Sequence, residues 1–457
     1  MIRNNISAIL TAVAVIALIV GFAVYFNSPE LNTAGLASIK QQQQIEKLLS
    51  SESSSLSSSK PTPSTGSLDE AMVRHTLADP ASSTGNTPIV IKLNRTEFEE
   101  IDKSQFRKAP GFTDVTGYIN TNDSRSLDLQ DLRGNVVLVD FWTHSCINCI
   151  RTIPYLNDWN EKYSDKGLTI VGIHTPEFEF EKDFNNVKSA ADKFGIKYPV
   201  LQDNNKGTWN AYENRYWPRK YIIDTEGNIR YDHIGEGAYP EAEKVIQYLL
   251  AERAAKMGKT EIVFSNTSRI PAVSADNKNS QSSDIDFSKI RTPEIYLGYQ
   301  LARAPLGNPQ NFQPDRIVSY SILSSNDSTN FKPNIVYLEG QWKNNPDNVE
   351  LQSETGRIIL NYSAKSVNIV AGGTLGTVGR VLLDNIDKNL LGHSSSSSSS
   401  LQQQEKDFGT DIARGPGEFS IDGQRLYNLV DDDDYGEHVV TIDVKGKGFQ
   451  LYTFTFG

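Results

Sequence analysis

Cysteine is nearly absent: two residues, Cys146 and Cys149, stand in a chain of 457. A secreted domain stapled by disulfides carries many cysteines at scattered spacings, so that framework is excluded and packed cores must supply the stability. A structural zinc site is disfavoured too. A tetrahedral centre wants about four ligands, yet there is no second C-x-x-C, and His75, His144, His174, His233, His393 and His438 form no H-x₃₋₅-H pair. Positive charge is also short. The net charge of −11 and the lack of a long basic stretch leave no electrostatic footprint for nucleic acid, which is set aside as a partner. Apolar residues make up 38% of the chain, below the roughly 45–50% of ordinary globular domains, which points to much linker beside the cores.

One long apolar run stands out. ISAILTAVAVIALIVGFAVYF, from Ile6 to Phe26, holds 21 residues without a charge. A spanning helix needs about 20 such residues, whereas the apolar region of a signal peptide has about 7–15, so the length favours an uncleaved anchor. Arg3 precedes the run and no Lys or Arg follows until Lys40, which orients the bulk of the chain outside the cytoplasm. Sequons at Asn94, Asn122, Asn266, Asn326 and Asn361 are compatible with that side. The localisation expected is a single-pass membrane protein with its bulk extracytoplasmic.

Composition then divides the chain. Residues 1–27 are the anchor, and 28–107 read as a flexible tether, with QQQQ at 41–44 and SSESSSLSSSKPTPSTGS at 50–67. Such sequence cannot offset its own ordering entropy. A short run, IVIKL, follows Pro88 without an assigned place. Across 108–257 the texture is α/β. VVLVDFW and LTIVGIHT are continuous apolar strands of a buried parallel sheet, separated by a helix-spaced segment that ends at Gly167. FNNVKSAADKFGI is helical, YPVLQD a strand, KYIIDTEGNIRYDHIG a hairpin turning at Glu226-Gly227, and PEAEKVIQYLLAERAAK a closing helix. Residues 258–291 read as a second linker. Beyond them, across 292–457, the period switches to 2: NVELQSE, RIILNYS, SVNIVAGG, GRVLLDN, QRLYNLV, HVVTIDV and FQLYTFTFG predict an antiparallel β-sandwich. The Ser-rich stretch 394–404 reads as a loop within it. The acidic run DDDDYGE at 431–437 lacks the ligand spacing of an EF-hand and reads as a solvated hairpin turn.

The cysteine pair lies where VVLVDFW ends and a helix begins. A thiol there meets the positive end of the helix dipole and unpaired backbone N–H groups, which favour the thiolate. Cys149 sits one turn further on, within reach of the first sulfur. The pattern suits a nucleophile and a resolving thiol: Cys146 forms a mixed disulfide with a client and Cys149 releases it. His144, two residues before Cys146, is either a cation that favours the thiolate or a polar bystander. His174 and Glu177, in HTPE, follow a strand end where α/β sites gather, and are supporting candidates. The competing reading is a copper-binding chaperone with Cys146, Cys149 and His174 or His144 as soft ligands. The two-residue spacing of the cysteines counts against it, because such proteins usually space theirs by three.

VVLVDFWTHSCINC resembles the active-site segment of thioredoxin-fold proteins. More narrowly, DFWTHSCINCIRTIPYL, VGIHTPEFEFEK, NRYWPRKYIID, TPEIYLGYQ and LYTFTFG resemble the extracytoplasmic part of DipZ-type cytochrome c biogenesis proteins, across about residues 108–457. The resemblance implies a TlpA-like thioredoxin (redoxin) domain joined to a carbohydrate-binding-module-like β-sandwich. It also implies thiol-disulfide oxidoreductase activity on client proteins, in cytochrome c biogenesis or extracytoplasmic redox maintenance, with no cofactor and no metal. Asp140 matches the family's buried carboxylate, which serves proton transfer at the resolving cysteine; a solvated strand-end acid is the alternative. Pro218 matches the cis-proline loop facing the disulfide, against an ordinary trans proline. Trp217 would flank that loop and Trp142 the cysteines, unless both are plain core aromatics. Pro154 matches the helix-kinking proline. Ile147-Asn148 replaces the usual Gly-Pro between the cysteines. The family's multi-span membrane domain is not seen in this sequence, which implies a separate membrane thiol carrier as electron partner. Sugar binding by the β-sandwich, through exposed aromatics such as Trp342 or Tyr362, rests on fold analogy alone.

Overall fold

The computed structural model describes residues 88–93, 103–121, 126–265, 285–322, 331–384, 408–413 and 417–457. The apolar run at 6–26, the Ser-rich stretches at 50–67 and 394–404, and the sequons at Asn94, Asn122, Asn266 and Asn326 lie outside the described residues. Among those described, no helix is long and apolar enough to cross a membrane.

A six-stranded mixed sheet organises the N-terminal half. Its strands are β2 (Gly117–Ile119), β3 (Val136–Trp142), β4 (Leu168–His174), β5 (Val200–Gln202), β6 (Arg219–Ile223) and β7 (Ile229–Ile234), in the order β2-β5-β4-β3-β6-β7. β3, β4 and β5 run parallel, and the outer pairs are antiparallel. All seven residues of β3 are buried, which is why the strand reads as a continuous apolar run. Its alternate residues Val137, Val139 and Phe141 join Trp209, Tyr212 and Tyr221 in one core. Side chains alternate across a sheet, so Leu138, Asp140 and Trp142 share the opposite face.

Among the described residues, four α-helices complete this half: α1 (Ile147–Tyr163), α2 (Phe184–Lys193), α3 (Gly207–Ala211) and α4 (Tyr239–Lys256). Cys146 caps the N-terminus of α1, and Pro154 lies inside that helix. Asp183 caps α2 by accepting from the N–H groups of Asn185 and Asn186. The β6–β7 hairpin turns through Gly227, whose φ of 83° suits a residue without Cβ.

Both expected linkers contain strands. β1 (Ile89–Lys92) and β8 (Glu261–Phe264) lie within 28–107 and 258–291, and they pair antiparallel with each other. Two four-residue segments separated by the whole α/β unit carry too little periodicity to be noticed singly. Pairing shows them, with Phe264 buried edge-on against Tyr163 at a centroid distance of 5.6 Å.

The C-terminal half is antiparallel, as the period of 2 predicts, but its strands are longer than expected. They are β9 (Ile295–Tyr296), β10 (Ile317–Tyr320), β11 (Val336–Asn344), β12 (Val349–Leu351), β13 (Thr355–Gly372), β14 (Val378–Leu383), β15 (Glu418–Ser420), β16 (Arg425–Lys445) and β17 (Gln450–Phe456). Hydrogen bonds join all nine into one network, and β11, β12, β17 and β13 pair in a closed circuit around a shared core. RIILNYS and SVNIVAGG are one strand, β13; QRLYNLV and HVVTIDV are likewise one, β16.

The acidic run at 431–437 is therefore not a hairpin turn. It lies inside β16, where Ser366 faces Asp431 and Ala364 faces Gly436, so the extra residues bulge out of register without reversing the chain. Trp342 and Tyr362 are buried in the core and offer no face to a sugar. The Asn361 amide donates to the Phe331 carbonyl and the Glu437 carboxylate.

The two halves belong to one compact unit, Thr87–Gly457. Phe178 and Phe180 from the loop after β4 pack with Val370 and Tyr452 of the β-domain, and Tyr296 and Leu301 close over them. The Phe180 and Tyr452 rings meet at 4.9 Å.

Candidate redox site

The cysteines sit at the C-terminal edge of the α/β sheet, where β3 gives way to α1. Cys146 is partly exposed and Cys149 is buried; both are free thiols. The backbone N–H of Cys149 donates to Cys146 Sγ at 3.2 Å, so the leading sulfur takes the place that an N-cap oxygen usually holds.

The expected readily ionised Cys146 is not what the surroundings favour. Burial pushes its thiol up. The hydrogen bonds from Cys149 oppose that rise, while the carboxylates Glu294 and Glu177 add to it. Burial thus outweighs the helix terminus, and the two carboxylates, one of them 148 positions downstream of the cysteine, add the smallest contributions. Cys149 is pushed up further, first by burial and then by its bond to Cys146.

Asp140 is buried, as the resemblance implies, and burial pushes its carboxyl up to about 7 against the pull of Lys220. Lys220 faces it across the β3–β6 pair, is wholly buried, and donates to the Gly235 carbonyl at 3.0 Å. Asp140 also adds to the rise of the Cys149 thiol. One carboxylate oxygen, Oδ1, has no hydrogen-bond partner in the protein.

The two histidines do not supply a cation. His144 Nδ1 and His174 Nε2 lie 3.1 Å apart, their rings stacked and buried. Burial lowers both, and His144 lowers His174 further, so the pair stays neutral at physiological pH. His144 is thus neither a cation beside Cys146 nor an exposed bystander. Trp142 is buried with its edge on His174 at 5.1 Å, and a Cβ on Gly172 would come within 2.9 Å of its indole nitrogen. The Trp217–Pro218 bond is cis. Trp217 stacks obliquely on Trp209 at 4.2 Å and donates to the Thr175 carbonyl at 3.0 Å. This contact ties the proline loop to the loop after β4.

Glu177 is half-buried. Burial, then the neighbouring Glu181, pushes its carboxyl up to about 8, while the Tyr296 hydroxyl opposes that rise. Tyr296 donates to Glu177 at 2.8 Å and lies 3.1 Å from Glu294.

Four participants lie within the resembling segments, yet nothing in the residue pattern singles them out. Ser145 and Glu181 form a buried pair: the Ser145 hydroxyl donates to Glu181 Oε1, while Oε2 accepts from the backbone N–H groups of Glu177 and Phe178. Glu181 looks like any residue of the acidic EFEFEK segment; only its zero exposure distinguishes it. Lys220 could have been sought as a cation opposite Asp140 once β6 was aligned with β3. Tyr296, in TPEIYLGYQ, belongs to the other half of the chain, and no local pattern brings it to this site.

Among the described residues, no group of three or more His, Cys, Asp or Glu side chains is arranged to hold a metal ion. The copper-binding alternative, which needs Cys146 and Cys149 to gather with a histidine, is not favoured.

Comparison with known proteins follows the same division. Residues 107–246 match the Redoxin family and residues 292–457 match the family described as "Thioredoxin like C-terminal domain". Protein DipZ of Mycobacterium tuberculosis is 36% identical over 266 residues, covering 58% of this chain but only 35% of that protein. The thiol-disulfide oxidoreductase YkuV of Bacillus subtilis is 32% identical over 115 residues, which are 25% of this chain and 77% of YkuV. The thiol-disulfide oxidoreductase ResA of Bacillus thuringiensis is 30% identical over 149 residues, 32% of this chain and 79% of ResA.

Proposed function

The chain belongs to the thioredoxin-like thiol-disulfide oxidoreductases, of the DipZ and TlpA type, and from that premise we propose that it reduces disulfides of extracytoplasmic client proteins through Cys146 and Cys149. The observation that carries this reading is the asymmetry of the pair: a partly exposed sulfur at the helix cap and a buried one a turn behind it.

The exchange balances in two steps. Cys146, as thiolate, attacks one sulfur of the client disulfide; a Cys146–client bond forms, the client's own bond breaks, and the departing client sulfur takes up a proton. Cys149 then gives its proton to the Asp140 carboxylate and attacks Cys146 Sγ, and the second client sulfur leaves as a thiol. The client gains two electrons and two protons, and the chain keeps a Cys146–Cys149 disulfide. A raised carboxyl suits this role, because a base near neutral pH accepts a thiol proton and later returns it. Lys220, opposite Asp140 in the β3–β6 pair, opposes that rise.

Anchoring by residues 6–26 and an extracytoplasmic site are part of the proposal, supported by the uncharged length of the run and the placement of Arg3 and Lys40. In this reading a membrane thiol carrier re-reduces the pair, and cytochrome c biogenesis is the setting that the DipZ resemblance suggests. The test is trapping. Cys149→Ser is expected to accumulate mixed disulfides with clients through Cys146, whereas Cys146→Ser traps almost none. Absence of adducts in both variants rejects the reading.

A further inference from the structure

We propose that His174 and Glu181 are positioning residues: from the end of β4 and the loop after it, they grip the turn that presents Cys146. The inference deepens the proposed function and rests on Cys146 being the attacking thiol.

The turn is residues 143–145, between β3 and the helix cap. All three are buried, and Cys146 behind them is partly exposed. The turn closes on itself where the Cys146 N–H donates to the Thr143 carbonyl at 3.3 Å. Two acceptors then hold it from outside. His174 Nε2 lies 3.3 Å from the His144 backbone nitrogen, 3.1 Å from His144 Nδ1 and 3.4 Å from Thr143 Oγ1. Glu181 Oε1 accepts from the Ser145 hydroxyl, while its Oε2 is moored by the N–H groups of Glu177 and Phe178 at 2.6 and 3.0 Å. Both His174 and Glu181 have zero exposure, so neither acceptor exchanges the turn for water.

The contacts also fix the protons. A backbone N–H can only donate, so His174 Nε2 is bare and the neutral ring carries its proton on Nδ1. His144 Nδ1, facing that bare nitrogen, is then a donor. An imidazolium at position 174 would set one N–H against another. The arrangement leaves His174 Nδ1 and His144 Nε2 with no hydrogen-bond partner among the described residues. Unpaired buried nitrogens cost stability, and apolar side chains of similar shape would fill the space without that cost. What the rings supply instead is a hold on the backbone of the turn. That hold sets where Cys146 Sγ meets the Cys149 N–H, at 3.2 Å, the contact that favours its thiolate.

The test has two readouts on the full chain. The first is the pH profile of iodoacetamide alkylation, with peptide mapping to assign the label to Cys146 or Cys149. His174→Leu removes one acceptor, and Ser145→Ala removes the hydroxyl that Glu181 holds. Each should move the Cys146 inflection to higher pH and lower its alkylation at pH 7 by about threefold, the effect of weakening one hydrogen bond to a charged group. His174→Gln, which keeps an acceptor at similar reach, should stay closer to the native profile. The second readout needs no altered turn: ¹⁵N spectra of the histidine-labelled chain should show His174 protonated at Nδ1, its signal assigned by loss in His174→Gln. Profiles that superimpose on that of the unaltered chain in both His174→Leu and Ser145→Ala overturn the proposal, even if the melting temperature falls, because a purely structural role would do just that. A His174 proton found on Nε2 overturns it as well. If the unaltered chain is labelled only at Cys149, the nucleophile assignment fails instead, and the two failures stay distinct.

Discussion

At the scale of single residues, the site is governed by burial. Asp140 sits on the sheet face opposite Val137, Val139 and Phe141, and loss of hydration carries its carboxyl from an ordinary 3.8 to about 7. Folding thus strengthens proton binding at Asp140. Its contribution favours the native state at low pH and is lost as the pH climbs from the ordinary carboxyl value to about 7. At about 1.4 kcal/mol per unit, the loss is on the order of 4 kcal/mol. Asp140→Asn should flatten that decline, measured by urea unfolding between pH 4 and pH 8; an unchanged slope would mean that the acid is hydrated in the native state. The same variant should slow release of mixed disulfides while sparing their formation. Asp140 was legible in the sequence because it interrupts an apolar run just before the cysteines. The neutrality of His144 and His174 was not, because their mutual stacking needs the ends of β3 and β4 side by side.

At the scale of elements, parallel pairing of β3 with β4 brings the loops bearing Cys146 and Glu177 together, and α1 supplies the cap that holds Cys146. These elements announce themselves through apolar runs and helical spacing. β1 and β8 do not, being four residues each, with no residue of β1 and only two of β8 buried, yet β8 anchors Phe264 beneath Tyr163. Phe264→Ala should cost about 3–5 kcal/mol in thermal or chemical unfolding, the usual effect of emptying an aromatic core position. A change near zero would return 258–291 to the status of a linker. The bulge in β16 was hidden for a different reason. Four consecutive aspartates signal solvent, and a strand that keeps pairing on both sides of a bulge satisfies that signal as well as a turn does.

At the scale of the whole molecule, an aromatic joint couples the two halves. Phe178→Ala opens it at its centre, between Phe180, Tyr296 and Tyr452. Calorimetry should then show the single transition of the unaltered chain splitting into two, one for each half; a single transition in the variant would show that the joint contributes little coupling. By itself the sequence determined the α/β order, the antiparallel character of residues 292–457, the cysteine pair and its acid, because these depend on local periodicity and on residues close in the chain. Only the tertiary structure decided the electrostatics of Cys146. Its thiol is set first by burial, and Glu294, brought in by the pairing of β9 with β17 and the packing of two domains, adds to the rise. Charge acts through space, and separation along the chain carries no trace of it.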